Sequence, residues 1–136
     1  MKQLTDYERG FIEGVIDSEG SITLNKKVLM LRKNKRGWTP NIRLEIANNS
    51  LEFLGKIQEI LGTNIKPVSK KGSRNYKIAL RHKVIRELFP QICLIIKENR
   101  RLLTLELLST LKIGINKYTN SAEYENRIQE IVGKWK

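Results

Sequence analysis

The chain has 136 residues, 40% of them hydrophobic, and a formal net charge of +12. That length fits a single domain, 1–136, with a real core, and no apolar run approaches the roughly 20 residues that span a bilayer. One cysteine, Cys93, excludes an internal disulfide and argues against a thiolate metal cage.

The N-terminal residues lack the apolar stretch of a secretory signal. An intracellular protein, in cytoplasm, nucleoid or organelle matrix and not secreted, is therefore expected. Cys93, within Ile92–Ile96, is expected to be an inert core thiol.

Thr5-Asp6-Tyr7-Glu8 forms a capping box. It predicts a first helix over about 5–18, with Tyr7, Phe11 and Val15 as the core stripe, flanked by Ile12 and Ile16. Gly10 and Gly14 lie on another face with Glu13 and Asp17 nearby. Each glycine costs a helix roughly 1 kcal/mol against alanine, so close approach of a second backbone is expected there. The helix ends in a carboxylate pair, Asp17 and Glu19, with Gly20 as its exit.

Ser21–Asn25 alternates polar and apolar, as a half-buried strand does. Ile22 and Leu24 face the core; Ser21, Thr23 and Asn25 face away. Lys33–Pro40 reads as a loop, in which Trp38 either stacks on a ligand or anchors the turn. A second strand, Asn41–Ala47, points Ile42, Leu44 and Ile46 inward and Arg43 and Glu45 outward. Ser50 caps a short helix over Leu51–Leu61, and Gly62 follows its end. Ile65–Lys70 and Asn75–Arg81 predict two more strands. His82 then extends the basic strand, where contact with nucleic acid or solvent is expected of it. Helices are expected over about 84–135, in three segments (84–96, 98–112 and 122–135), with Pro90 interrupting the first. Leu102–Leu111 is read as a core stripe, and Trp135 as packing.

This order predicts an α+β fold: an αββαββα core with a four-stranded, mostly antiparallel, curved sheet and helices on one face. The other face is left open and carries the strands' basic residues. A curved ribbon of this kind fits the major groove of DNA.

The charge is regional. No acid occurs from Gly20 to Leu44 or from Thr63 to Arg86, and these windows hold 15 of the 26 basic residues. The other 11 basic residues are outnumbered by all 14 acids, so the rest of the chain is net −3. Two such windows point to one built surface for nucleic acid rather than to a membrane-binding helix. A carboxylate pair beside a phosphate-binding surface makes physical sense when a cation draws negative charge from both sides.

Ile12-Glu-Gly-Val-Ile-Asp-Ser-Glu-Gly20 resembles the motif that names the LAGLIDADG homing endonucleases. The element order, the strand directly after Gly20 and the Leu94–Lys97 segment are similar too, up to about Lys112. The resemblance implies a sequence-specific double-strand DNA endonuclease. Glu19 takes the place of the family's metal carboxylate, usually Asp, and Ser18 would add a backbone carbonyl. Asp17 matches the supporting acid at the helix interface. Asn48 falls where a water-positioning Gln is common, and Lys97 resembles the lysine that contacts water around the scissile phosphate. Gly10, Glu13, Gly14 and Asp17 would line the contact between two motif helices.

The chain has one copy of the motif, and cutting both strands takes two sites. A C2 homodimer acting on a long pseudo-palindromic site is therefore expected. Mg2+, or Mn2+, would sit between the Glu19 carboxylates and the phosphates. Arg43, Lys77 and Arg81 are candidates for groove contacts, and Lys26, Lys27, Lys70 and Lys71 for phosphates. Ser21, Thr23, Asn25, Lys35, Arg36 and Arg74 complete the expected DNA surface. The alternatives are an RNA-binding maturase for a host intron and a non-cleaving DNA-binding regulator of the same fold. A ribosomal-type RNA-binding protein would leave the motif unexplained.

Overall fold

The computed structural model describes residues 1–30, 36–67, 75–117 and 122–135, with the backbone alone at 26–30, 36–39, 67, 112–117 and 122–125. Helix α1 spans Asp6–Glu19 and opens on the expected capping box. The Glu8 N–H donates to Thr5 Oγ1 at 3.1 Å, and the Thr5 N–H donates to Glu8 Oε1 at 3.0 Å. Its core side is Ile12, Val15 and Ile16, at i, i+3 and i+4. Tyr7 does not join them. It is 70% exposed, and Phe11 is half-buried, edge-on to Phe53 with ring centroids 6.2 Å apart. Of the expected stripe only Val15 is buried, and the flanking Ile12 and Ile16 complete the core side.

Strands β1 (Gly20–Met30) and β2 (Arg36–Asn48) pair antiparallel from Gly20↔Ile46 to Met30↔Arg36. Both are longer than the alternation alone predicted. Arg36–Pro40, expected in a loop, belongs to β2, with Trp38 opposite Val28. Helix α2 (Leu51–Leu61) carries the Ser50 cap, with the Phe53 N–H on Ser50 Oγ at 3.2 Å. It ends at Gly62, whose φ of 66° is the left-handed conformation that glycine adopts without steric strain.

Strand β3 is Lys66–Pro67, with residues 68–70 of the expected strand outside the described residues, and β4 is Tyr76–Leu80. The sheet is antiparallel in the order β1-β2-β4-β3, with the expected four strands. Ile22, Ile42, Leu44, Ile46, Ile78 and Leu80 are buried on one face and join α1, α2 and the C-terminal helices in a single core cluster.

His82 starts helix α3 (His82–Leu88) rather than extending a strand. Its Nε2 accepts the Ile42 N–H at 3.0 Å, so it ties α3 to β2. The helix expected over 84–96 stops early. A 3-10 turn at Phe89–Gln91 contains Pro90, and Ile92 is extended. The backbone from Ile92 to Lys97 is an irregular strap. Cys93 in this strap is exposed, not a core thiol.

Helix α4 (Glu98–Lys117) runs five residues past the expected end and packs against α5 (Ala122–Gly133). Leu103, Leu107, Leu108 and Leu111 are buried as read, but Leu102 is 51% exposed. Trp135 is buried as expected. Among the described residues no helix is long and apolar enough to cross a membrane.

Candidate functional site

The end of α1 is where the chain's acids meet its basic sheet. Gly20 turns the chain straight from helix into strand, with φ −81° and ψ 148° and its N–H on the Ile16 carbonyl. A Cβ at this position would stand 2.8 Å from that carbonyl oxygen and 2.9 Å from Ile16 Cα, both backbone atoms. The motif glycine is therefore required by close packing rather than by a left-handed backbone. Immediately before it, Glu19 is exposed, and its carboxylate has no hydrogen bond or ion pair among the described residues.

Asp17 is occupied in a different way. Its Oδ2 accepts the Ile95 N–H at 2.7 Å, and its Oδ1 accepts the Ile96 and Lys97 N–H groups at 3.0 and 3.1 Å. One turn earlier, Glu13 Oε2 accepts the Cys93 N–H at 2.6 Å. Glu98 Oε2 takes the Leu94 N–H at 2.6 Å. Every backbone N–H from Cys93 to Lys97 is thus bound by a carboxylate instead of a helical carbonyl, which explains why helix is absent there. Partial burial pushes the Asp17 carboxyl up, but the three backbone donors outweigh it and hold it below its ordinary value.

Lys97 closes the arrangement. Its Nζ donates to the Ile16 carbonyl at 2.9 Å and the Asp17 carbonyl at 2.6 Å. An ammonium on the last carbonyls of a helix offsets the negative end of the helix dipole. Two of its three donors are used within the chain, which leaves one for water or phosphate. Ser18 Oγ donates back to the Gly14 carbonyl at 2.7 Å, so its hydroxyl serves the helix while its carbonyl stands beside Glu19. Asn48 ends β2. Its Oδ1 accepts the Ser50 N–H at 2.8 Å in the turn to α2, and its amide nitrogen has no partner among the described residues.

Gly10, Glu13, Gly14 and Asp17 follow the i, i+3, i+4, i+7 spacing of one helix face. Nothing lies within 4 Å of a Cβ built on Gly10 or Gly14. The strap borders the same face, with Ile95 91% and Ile96 76% exposed.

The open face of the sheet carries the expected polar residues. Ser21 lies opposite Glu45, Thr23 opposite Arg43, Asn25 opposite Asn41, and Lys77 opposite Ala47. Ser21 and Asn25 are exposed, and Thr23, Arg43 and Lys77 half-buried; Arg81, expected within the strand, instead follows β4 as the exposed N-cap of α3. Lys26, Lys27 and Arg36 lie on the paired strands, their side chains outside the described residues. Lys35, Lys70, Lys71 and Arg74 also lie outside the described residues.

Several residues that matter here were not singled out from sequence. Arg100 Nη1 donates to the Ile22 carbonyl at 2.9 Å, and its guanidinium sits 5.7 Å from the Trp135 ring. Buried Arg101 pairs with Glu98 and donates to the Phe89 carbonyl at 2.8 Å, so α4 holds both ends of the strap region. Neither contact has a local sequence signal, because each depends on α4 lying across the start of β1 and the turn at Phe89–Gln91.

Known structures share this architecture. The archaeal intron-encoded homing endonuclease I-Vdi141I, complexed with DNA, superposes with a TM-score of 0.73 at 21% identity, covering 96% of this chain and 82% of that one. The homing endonuclease I-TnaI gives 0.70 at 19% identity, covering 96% and 88%. I-SmaMI bound to uncleaved DNA target in the presence of calcium ions gives 0.70 at 17% identity, with 90% of this chain matching 42% of that one. No curated protein matches the sequence. The family model described as LAGLIDADG endonuclease matches residues 12–104, well over half of the sequence, and the chain belongs to that family.

Proposed function

We propose that this DNA endonuclease is a homing enzyme that hydrolyses both strands of a long, pseudo-palindromic duplex site as a homodimer, with a divalent metal at Glu19. The observation that carries the reading is the free Glu19 carboxylate at the foot of the basic sheet, beside a helix end already neutralised by Lys97. A carboxylate left unpaired among so many cations fits one that serves an external cation.

The donor set fits a hard ion. Glu19 and the Ser18 carbonyl offer oxygen only, and among the described residues no three His, Cys, Asp or Glu groups cluster. Most of the shell would therefore come from phosphate and water oxygens, as suits Mg2+, with Mn2+ able to use the same donors. When bound, the metal supplies Lewis-acid stabilisation and a more acidic water.

The chain's own residues do the rest. The sheet face holds the duplex through Arg43, Lys77 and Arg81 in the groove and lysines on phosphates. Asp17 and Lys97 fix the helix end that carries Glu19. The remaining Lys97 donor and the Asn48 amide would orient water near the phosphate. The open Gly10/Gly14 face, with exposed Ile95 and Ile96 beside it, supports contact with a second copy.

Selection of cleaved duplexes from a randomised pool in Mg2+ tests the reading. The expected product is one family of long, two-fold-related sequences cut on both strands. Recovery of no cleaved sequence, or of sites without two-fold symmetry, overturns it.

A further inference from the structure

Glu45 is an acid set in the middle of the face that would meet DNA. It stands directly between Ser21 on β1 and Ala79 on β4, so it is flanked by two short side chains. Arg43 Nη1 lies 3.8 Å from its Oε1, and Lys77 Nζ lies 3.9 Å from its Oε2. Both separations exceed hydrogen-bond length. No described donor satisfies either oxygen, and the side chain is 31% exposed. The two cations offset its charge at this range, and its oxygens are left to take hydrogen bonds from water or from a donor on the DNA.

Only two major-groove groups donate: the cytosine N4 amino group and the adenine N6 amino group. Adenine places its N7 acceptor beside that donor, where it opposes the second carboxylate oxygen. Cytosine places no acceptor on its own edge there. The guanine paired with that cytosine presents O6 and N7 acceptors, and the flanking Arg43 and Lys77 cations are complementary to them. A carboxylate with a cation within 4 Å of each of its oxygens therefore matches the donor and acceptor pattern of one C·G pair.

We propose that Glu45 is a specificity-determining residue that reads a cytosine in the target. The inference rests on the reading of this face as the DNA surface. The register also places that cytosine. Gly20 pairs with Ile46 and Ser21 with Glu45, so Glu45 occupies the row next to the Glu19 end of the sheet. The cytosine lies in the inner part of each half-site, close to the cleaved phosphates, once per half.

The test compares duplexes bound from a randomised pool, with Ca2+ in place of Mg2+, for the unaltered chain, Glu45→Gln and Glu45→Arg. The unaltered chain is expected to select C·G at one inner position of each half-site. Glu45→Gln should reduce that preference by about tenfold or more and admit adenine there, with the other positions unchanged. Glu45→Arg should turn the same position to guanine. Identical base preferences for all three proteins would overturn the inference while leaving sequence-specific binding intact. An unaltered chain that selects no sequence at all would overturn the underlying reading as well. Thermal unfolding of the variants confirms that each is folded.

Discussion

Asp17 and Lys97 hold each other twice. The Asp17 carboxylate accepts the Lys97 N–H at 3.1 Å, and the Lys97 ammonium donates to the Asp17 carbonyl at 2.6 Å. The same carboxylate takes two more strap amides, and the same ammonium takes the Ile16 carbonyl. One pair of residues therefore fixes both the strap and the end of the helix that presents Glu19.

Asp17→Asn should loosen this joint. An amide keeps one acceptor oxygen and loses the charge, so hydrogen bonds to a charged group become weaker or are lost. For a half-exposed site the loss is about 1–2 kcal/mol. Thermal unfolding should show it, and hydrogen exchange at the Ile95, Ile96 and Lys97 amides should accelerate by about tenfold or more. Unchanged protection of those amides would contradict the assignment.

The same contact sets a pH dependence. The Asp17 pKa is lower in the folded chain than in the unfolded one, so folding stabilises its ionised form. That contribution is fully present above the ordinary carboxylate range. It is lost as pH falls through about 4 and is gone below the lowered folded value. Glu98 adds in the same direction through Arg101. Acid titration of stability should be steeper in the unaltered chain than in Asp17→Asn.

Gly14 gives a clean separation of fold from assembly. No atom among the described residues lies within 4 Å of an added Cβ, so an alanine methyl meets open space there. Gly14→Ala should raise chain stability by up to about 1 kcal/mol. Gly14→Leu should fold and yet sediment as a monomer, because the side chain occupies the space a second helix needs. A stable Gly14→Leu dimer would refute the crossing of motif helices.

Gly20 predicts the opposite. A Cβ there meets Ile16 backbone atoms at 2.8 and 2.9 Å, which cannot move without distorting α1. Gly20→Ala should cost about 1–3 kcal/mol, read by chemical denaturation. Two motif glycines thus serve different purposes that the motif alone does not distinguish.

What the sequence made legible follows from locality. The capping box at Thr5 and Glu8, the alternation of Ile42, Leu44 and Ile46, and the Gly62 stop are each written in a few adjacent residues. The strap is not legible, because Ile92–Ile96 by itself continues the helix expected over 84–96, whereas most of the acceptors that unwind it come from Glu13 and Asp17 about 80 residues away. Cys93 was placed in the core for the same reason. The inward role of His82 has no local signal, because its partner, the Ile42 N–H, lies on β2, 40 residues earlier in the chain. Glu45 is legible as outward-facing beside Arg43 on its own strand, but its approach to Lys77 needs the pairing of β2 with β4.

The most direct measurement is cleavage of the selected duplex by Glu19→Gln in Mg2+, with binding of the same duplex measured in parallel. The exposed side chain has no partner to lose within the described chain, so the variant should fold and bind DNA as the unaltered protein does. Removing the metal carboxylate should lower the cleavage rate at least about a hundredfold. Cleavage by Glu19→Gln at the unaltered rate would contradict the account.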